Sequence, residues 1–588
     1  MFAALFNVDG RPIDLRPDGV ASHAVKILGD RRHVAFICPP HGGVGADACT
    51  IEDLEERYWI VGRIRLDARR DLEARLADQL GGRSGSMSDA LLCLHAYAAW
   101  GAAFLDRIAG DFCFALWDDG QSRLVCARDQ LGVRPLFHAE AGAMHIVGDS
   151  LAWIADTAPI DDGLDETWIA DFLTIGHCLD FERTVYRQVR RLAPAHVLTI
   201  SAATAAVHRY WRLELGEPLY LRDPRGYSER FLDLLSRSIA DRLPAGKVGI
   251  SMSGGLDSTT LAACAVAATG DPARIVAECF HFETLRPDDE THFSSLVARH
   301  LGIELRLKAI DDLGYDPDWR TRSIRTAEPS ASIVCADPER QIAAEQADMA
   351  AVWFFGEGPD NALDFERGAY FSWLFERRDW LRLGEAGLLY LLAKGFDGWG
   401  TTLGRYLGRR QAEPASATMP PWIDRGLAER VGLQARFDGA GAIGAPRHPW
   451  HPRAVASFGD PIWQAVLGPL DTEGAAVPLV WRHPYLDLRV LEFLLSVPPV
   501  PWAREKLLMR QAMRGRLPAA VLARRKTPLT PLAGPSPIRL SGLPRLSHFR
   551  LADYVDVRRL PAEVPAEPAQ DQFIAVHALD YWLTQRRP

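Results

Sequence analysis

The sequence predicts a two-part chain. An α+β, strand-rich region covers roughly the first 210 residues, and an α/β region with a parallel sheet and a mainly helical C-terminal part follows. Three observations carry this. Short alternating runs such as Tyr58-Trp59-Ile60-Val61 and Met144-His145-Ile146-Val147 are separated by Gly, Asp and Pro. From Val248 onward, β-like runs alternate with helical ones. The apolar run Val248-Gly249-Ile250 breaks into Ser-Gly-Gly before a helix-forming stretch.

Taken in order, residues 89–100 read as a helix, with apolar spacing at Leu92, His95, Ala96 and Ala99. His208-Arg209-Tyr210-Trp211, followed by Gly216-Glu217-Pro218, marks a boundary. An amphipathic helix over 228–241 leads into strands at 248–251, 274–282, 304–308 and 351–355. Residues 400–588 read as mainly helical. The Pro-rich breaks at 414–421 and 527–539 fit lids and ordinary loops equally well. The domains are therefore set at 1–210 and 222–588.

Composition narrows the function classes. With 588 residues, 48% hydrophobic and 24% charged, the chain is ordinary globular protein of more than one domain. A net charge of −9 gives no global field toward nucleic acid. The nine cysteines are scattered without a CxxC pair, so zinc and a disulfide framework are not expected, and a reducing cytoplasm fits best. Met1 to Asp9 lacks the basic start of a secretion signal, and the longest apolar stretches are too short to cross a bilayer.

The segment with the most chemistry is Ser251-Met252-Ser253-Gly254-Gly255-Leu256-Asp257-Ser258. A strand, a glycine turn and a helix start place backbone N–H groups and the positive helix end toward an anion. Ser253 and Ser258 add hydroxyl donors, and Asp257 offers an oxygen ligand for Mg2+. No Lys follows the second Gly, so this is not a Walker A loop. It resembles the SGGxDS pyrophosphate loop of ATP pyrophosphatases. A second glycine loop, Gly356-Glu357-Gly358-Pro359-Asp360-Asn361, follows the run 351–355. Asp360 supplies a second hard oxygen ligand, and Glu357 a carboxylate able to take a proton from an attacking amine.

Further segments join these: Arg65-Leu66-Asp67, Gly110-Asp111-Phe112, Leu116-Trp117-Asp118, the run Ala127 to Phe137, Arg482-His483-Pro484-Tyr485-Leu486-Asp487 and Arg524-Arg525-Lys526-Thr527. In this order, they make the chain resemble the asparagine synthetase B superfamily over nearly its full length. That resemblance implies an Ntn-hydrolase-like, glutaminase-like first domain and an ATP-pyrophosphatase-type synthetase domain using ATP and Mg2+. It implies that Ser251, Met252, Ser253, Gly254, Gly255, Asp257, Ser258, Gly356 and Gly358 bind nucleotide, and that Asp257 and Asp360 hold the metal. Glutamine-dependent members carry a nucleophilic cysteine right after the initiator Met. Here Phe2 stands there, and the nearest cysteine is Cys38. No glutamine hydrolysis is then expected.

Two branches share that loss, β-lactam synthetases and lasso-peptide cyclases. Glu357 in place of the Tyr typical of the former, and the GxGPDN form ending in Asn361, are closer to the latter. The resemblance then implies a linear precursor peptide as substrate, with a leader-recognition protein and a leader peptidase as partners. It implies catalytic roles for Glu357 and Lys526, the alternative for Lys526 being a solvated basic run. Lys506 reads better as a helix-surface lysine. Asp289-Glu290 resembles the family's acidic pair at a helix start, where a dipole-favoured cap is the competing reading. His281 and His483 read as structural.

Overall fold

The computed structural model describes every residue except 15–23, 30–31, 39–47, 82–86, 284–288, 312–317, 322–323, 395–418, 441–447, 473–476, 525–545, 566–568 and 587–588. The amino-terminal part is a sandwich of two six-stranded antiparallel sheets. One runs Val189–Arg191, Phe137–Ala141, Met144–Gly148, Ala3–Asn7, Val34–Cys38 and Ala24–Leu28. The other runs Ala205–Arg209, His196–Ser201, Arg123–Arg128, Gly110–Asp118, Tyr58–Leu66 and Thr50–Leu54. Phe2, Phe6, Phe36, Val61, Trp117 and Leu198 fill the space between the sheets. Helix Asp89–Trp100 covers the outer face of the second sheet through Leu92 and Ala96, and Leu151 and Ile154 cover that of the first. The result is an α/β/β/α stack, as an Ntn-type domain requires.

The run 127–137 closes this domain as a turn. The Asp129 carboxylate accepts from the N–H groups of Leu131, Val133 and Arg134, while the Arg128 guanidinium donates to the carbonyls of Gly132, Arg134 and Leu192. Burial raises the Asp129 carboxyl to about 6.

The second part is built on a five-stranded, fully parallel sheet ordered Glu304–Ala309, Ile275–His281, Val248–Ser251, Val352–Phe354 and Val480–Arg482. Four of these strands are expected from the sequence. The fifth is a correction, because Val480–Arg482 lies in the stretch read as mainly helical. Three residues are too few to show a period, and the strand is visible only through its pairing of Val480 with Val352 and Arg482 with Phe354.

Helix Arg225–Arg242 buries Tyr227, Phe231, Leu235 and Ile239, a stripe at helical spacing. Helix Leu256–Thr269 sinks a run of Thr, Ala and Cys into the same core, since small side chains let it lie close to the sheet. The final helix, Ala569–Gln585, packs Ile574, Leu579 and Trp582 into one cluster with Trp168 and Phe172 of helix Glu166–Ile175. The two parts thus share a hydrophobic core. Among the described residues, no helix is long and apolar enough to cross a membrane.

Candidate active site

The chain leaves strand Val248–Ser251 toward 275 and 304 on one side, and returns on the other side at 352 and 480. Strand order reverses between Val248–Ser251 and Val352–Phe354, and a ligand crevice opens at the carboxyl ends there. Both sequence-predicted loops begin at that point.

In the first loop, the Met252 N–H donates to the Glu278 carbonyl at 2.8 Å, holding the chain to the sheet one residue beyond the strand. Gly254 then turns at φ 69°. A Cβ at Gly254 would lie 2.9 Å from the Ser294 nitrogen, so only glycine fits there. Gly255 caps helix Leu256–Thr269, the Gly255 N–H points to Ser253 Oγ at 3.4 Å, and Ser253 and Ser258 hydroxyls lie 3.5 Å apart. The second loop presses on the first: a Cβ at Gly356 would sit 3.5 Å from the Ser258 nitrogen. Glu357 is half-buried between Gly356 and Gly358, and Pro359 opens the short turn of helix that carries Asp360.

The two predicted metal carboxylates converge, and a lysine stands between them. Lys506 Nζ lies 2.5 Å from Asp257 Oδ2 and 2.7 Å from Asp360 Oδ1. This corrects the reading of Lys506 as a surface residue. Its side chain is 15% exposed, and its ammonium sits at the centre of the site. No local pattern signals it, because the placement depends on two successive left-handed residues, Glu505 at φ 47° and Lys506 at φ 55°. Each such non-glycine residue costs about 1–2 kcal/mol, which the surrounding structure must offset. Part of that support is Arg510, whose guanidinium donates to the carbonyls of Glu505, Leu522 and Arg524.

Lys526 lies outside the described residues. Arg524, two positions before it, donates to Glu290 Oε1 at 3.0 Å and lies over the Phe293 ring, beside Gly254. Glu290 is thus half of an ion pair that brings the C-terminal segment to the first loop, and Asp289 is the helix N-cap residue. His483 is buried, and burial pushes its imidazole down to about 4. His281 ends its strand 3.8 Å from Glu283.

At the amino end of the chain, Phe2 is fully buried in the sandwich core, and its N–H donates to Asp149 Oδ1 at 2.5 Å. A cavity of about 1200 Å3 opens near Lys247 and Val352, where strands begin. That is the amino end of the strands, opposite to both loops, so the reactive crevice lies elsewhere.

The arrangement has two glycine loops, a helix N-terminus and two carboxylates around an ammonium. It can hold a polyphosphate and its counter-cation, and so supports ATP chemistry. Comparison with known proteins agrees. A glutamine amidotransferase domain profile matches residues 55–211 and an asparagine synthase profile matches residues 230–584. Asparagine synthetase [glutamine-hydrolyzing] 3 of Bacillus subtilis is 23% identical over 503 residues, 83% of this chain and 77% of that protein. A putative asparagine synthetase of Mycobacterium tuberculosis is 29% identical over 218 residues, 36% of this chain and 33% of that one. Among solved structures, the glutamine phosphoribosylpyrophosphate amidotransferase of B. subtilis overlays 53% of this chain and 67% of that one at 14% identity, with a TM-score of 0.23. The matched profile, which covers most of the chain, and the loops it contains make this protein an ATP-dependent amide-forming ligase that belongs to the asparagine synthase family.

Proposed function

We propose that the enzyme is a lasso-peptide cyclase. On this reading it activates an Asp or Glu side chain of a linear precursor peptide and closes an isopeptide ring with the peptide's own N-terminal amine. The observation that carries the reading is Phe2. A hydrocarbon ring packed into the sandwich core stands where glutamine-dependent members carry a thiol, so no ammonia is expected from glutamine. Where free ammonia is not the nucleophile, as it is in an ammonia-dependent asparagine synthetase-like enzyme, the amine comes with the substrate. The GEGPDN loop, with Glu357 and Asn361, supports the peptide branch over small-molecule synthetases. A leader-recognition protein and a leader peptidase would act beside it.

The chemistry divides among named residues. The substrate carboxylate attacks the α-phosphorus of ATP, an acyl–O–P bond forms, and the bond to pyrophosphate breaks. The N–H groups at Gly254 and Gly255, the helix start at Leu256 and the hydroxyls of Ser253 and Ser258 receive the developing charge. Asp257 and Asp360 fit Mg2+, since they already gather one positive charge between them in the Lys506 ammonium. Bound there, Mg2+ would neutralise pyrophosphate oxygens. Lys506 is the cation this geometry offers the phosphates, the role the resemblance gave to Lys526. Glu357 accepts the proton of the attacking ammonium, the amine adds to the activated carbonyl, and AMP departs. Holding amine and carbonyl together is the protein's largest contribution.

The test is substrate-dependent ATP–pyrophosphate exchange with free Asp and with linear peptides carrying an N-terminal Gly and an internal Asp or Glu, followed by mass spectrometry. Exchange with peptide only, and a product lighter by one water, is the expected result. Exchange with a free amino acid would move the enzyme to the small-molecule synthetases. Asp257→Ala should abolish exchange while peptide binding persists.

A further inference from the structure

Three sequence motifs that the reaction does not use meet in one place. Arg65 and Asp67 come from the end of strand Tyr58–Leu66 and the residue beyond, Asp111 from strand Gly110–Asp118, and Asp487 from the segment 482–487. Arg242, the last residue of helix Arg225–Arg242, joins them. Its Nη1 lies 2.7 Å from Asp67 Oδ1 and 2.9 Å from Asp487 Oδ2, and its Nη2 lies 2.9 Å from Asp67 Oδ2. Arg65 donates to Asp67 Oδ1 at 2.7 Å and to Asp111 Oδ2 at 2.9 Å. Arg489 adds a contact of 2.6 Å to Asp487. Arg65, Asp67, Asp111, Arg242 and Asp487 are all buried. Asp67, Asp241 and Asp487 lie close enough to suggest a metal site, but Arg242 and Arg489 already supply their countercharge.

The seam does not end there. The segment 482–487 is pinned to the same helix by Ser238 Oγ, which donates to the Pro484 carbonyl at 2.7 Å, and by Arg482, which donates to the Arg242 carbonyl at 2.5 Å. One residue beyond Pro484, the Tyr485 hydroxyl donates to the Asp257 carbonyl at 2.9 Å, inside the nucleotide loop. A Cβ at Gly358 would lie 3.2 Å from the Tyr485 Cβ, so the same side chain also backs the second loop. Tyr485 is fully buried.

We propose that the amino-terminal domain is retained as a buttress of the ATP site: Asp67 and Asp111 fix Arg242 and Asp487, and Tyr485 transmits that placement to the loop carrying Asp257 and to Gly358. Tyr485 is a positioning residue, and Asp67 acts through it from the other domain. The proposal rests on the ATP loop alone and not on the peptide reading, so the two fail separately.

The experiment uses the full chain, Mg2+ and a non-hydrolysable ATP analogue, with Kd from titration calorimetry and Tm measured without nucleotide. Tyr485→Phe keeps the ring and removes one hydrogen bond. It should weaken the analogue roughly three- to tenfold, lower the nucleotide-free Tm only by the small amount that one lost hydrogen bond costs, and reduce the rise in Tm on adding nucleotide. Asp67→Asn should lower Tm and also weaken the analogue, although the altered side chain lies in the other domain, away from the nucleotide loops. In the double variant, the losses of affinity should be less than additive, since both act along one strut. Wild-type affinity in Tyr485→Phe, or full additivity in the double variant, would overturn the proposal. If Asp67→Asn does not fold, Tyr485→Phe decides alone.

Discussion

Two clusters of carboxylates and cations dominate this molecule, and they are built differently. At the seam, Arg65 and Arg242 use planar guanidinium forks against Asp67, Asp111 and Asp487, all buried. At the site, one flexible lysine holds Asp257 and Asp360, whose side chains are 19% and 45% exposed. A fork satisfies several fixed acceptors at once and resists exchange, while an ammonium is a point charge on a mobile stem. The seam is made to stay, while the site holds its carboxylates with a cation that can move.

Breaking the seam should cost the most. Arg242→Met leaves Asp67 and Asp487 as buried charges facing a methyl thioether. Stability should fall by about 3–5 kcal/mol, read as a lower denaturant midpoint. An unchanged midpoint would mean that water reaches the seam. Lys506→Arg keeps the charge but puts a wide fork where a point charge stood. Turnover should fall on the order of 100-fold in ATP–pyrophosphate exchange with little change in Tm. Retained turnover would show that charge alone suffices there.

The most gradual effect concerns His483, next to the seam. Burial holds it neutral down to about pH 4, whereas in the unfolded chain it titrates near 6.5. Above 6.5 neither state binds a proton, and its contribution is complete. Between 6.5 and about 4 only the unfolded state gains one, so stability falls with falling pH by at most about 1.4 kcal/mol per unit. The stability advantage of the wild type over His483→Asn should therefore shrink through that window. A constant difference would place His483 in contact with water.

The sequence was most legible where chemistry and backbone coincide locally. Ser251 to Ser258 and Gly356 to Asp360 could be placed at strand ends because strand, glycine turn and helix start follow one another within a few residues. Lys506 was not legible, since its role depends on two left-handed residues that local pattern disfavours. Strand Val480–Arg482 was hidden for a related reason: a three-residue edge has no period of its own.

Contiguous residues were therefore enough to specify the family, the two glycine loops at the strand ends and four of the five parallel strands. It took the folded chain to show which lysine stands between Asp257 and Asp360. The fold also revealed that the final helix shares a core with Trp168 and Phe172, and that Arg65, Asp67, Asp111, Arg242 and Asp487 form one buried seam. Most of those partners lie tens to hundreds of positions apart. Their pairing is fixed by packing and by the requirement that buried charges be matched, which no local pattern records.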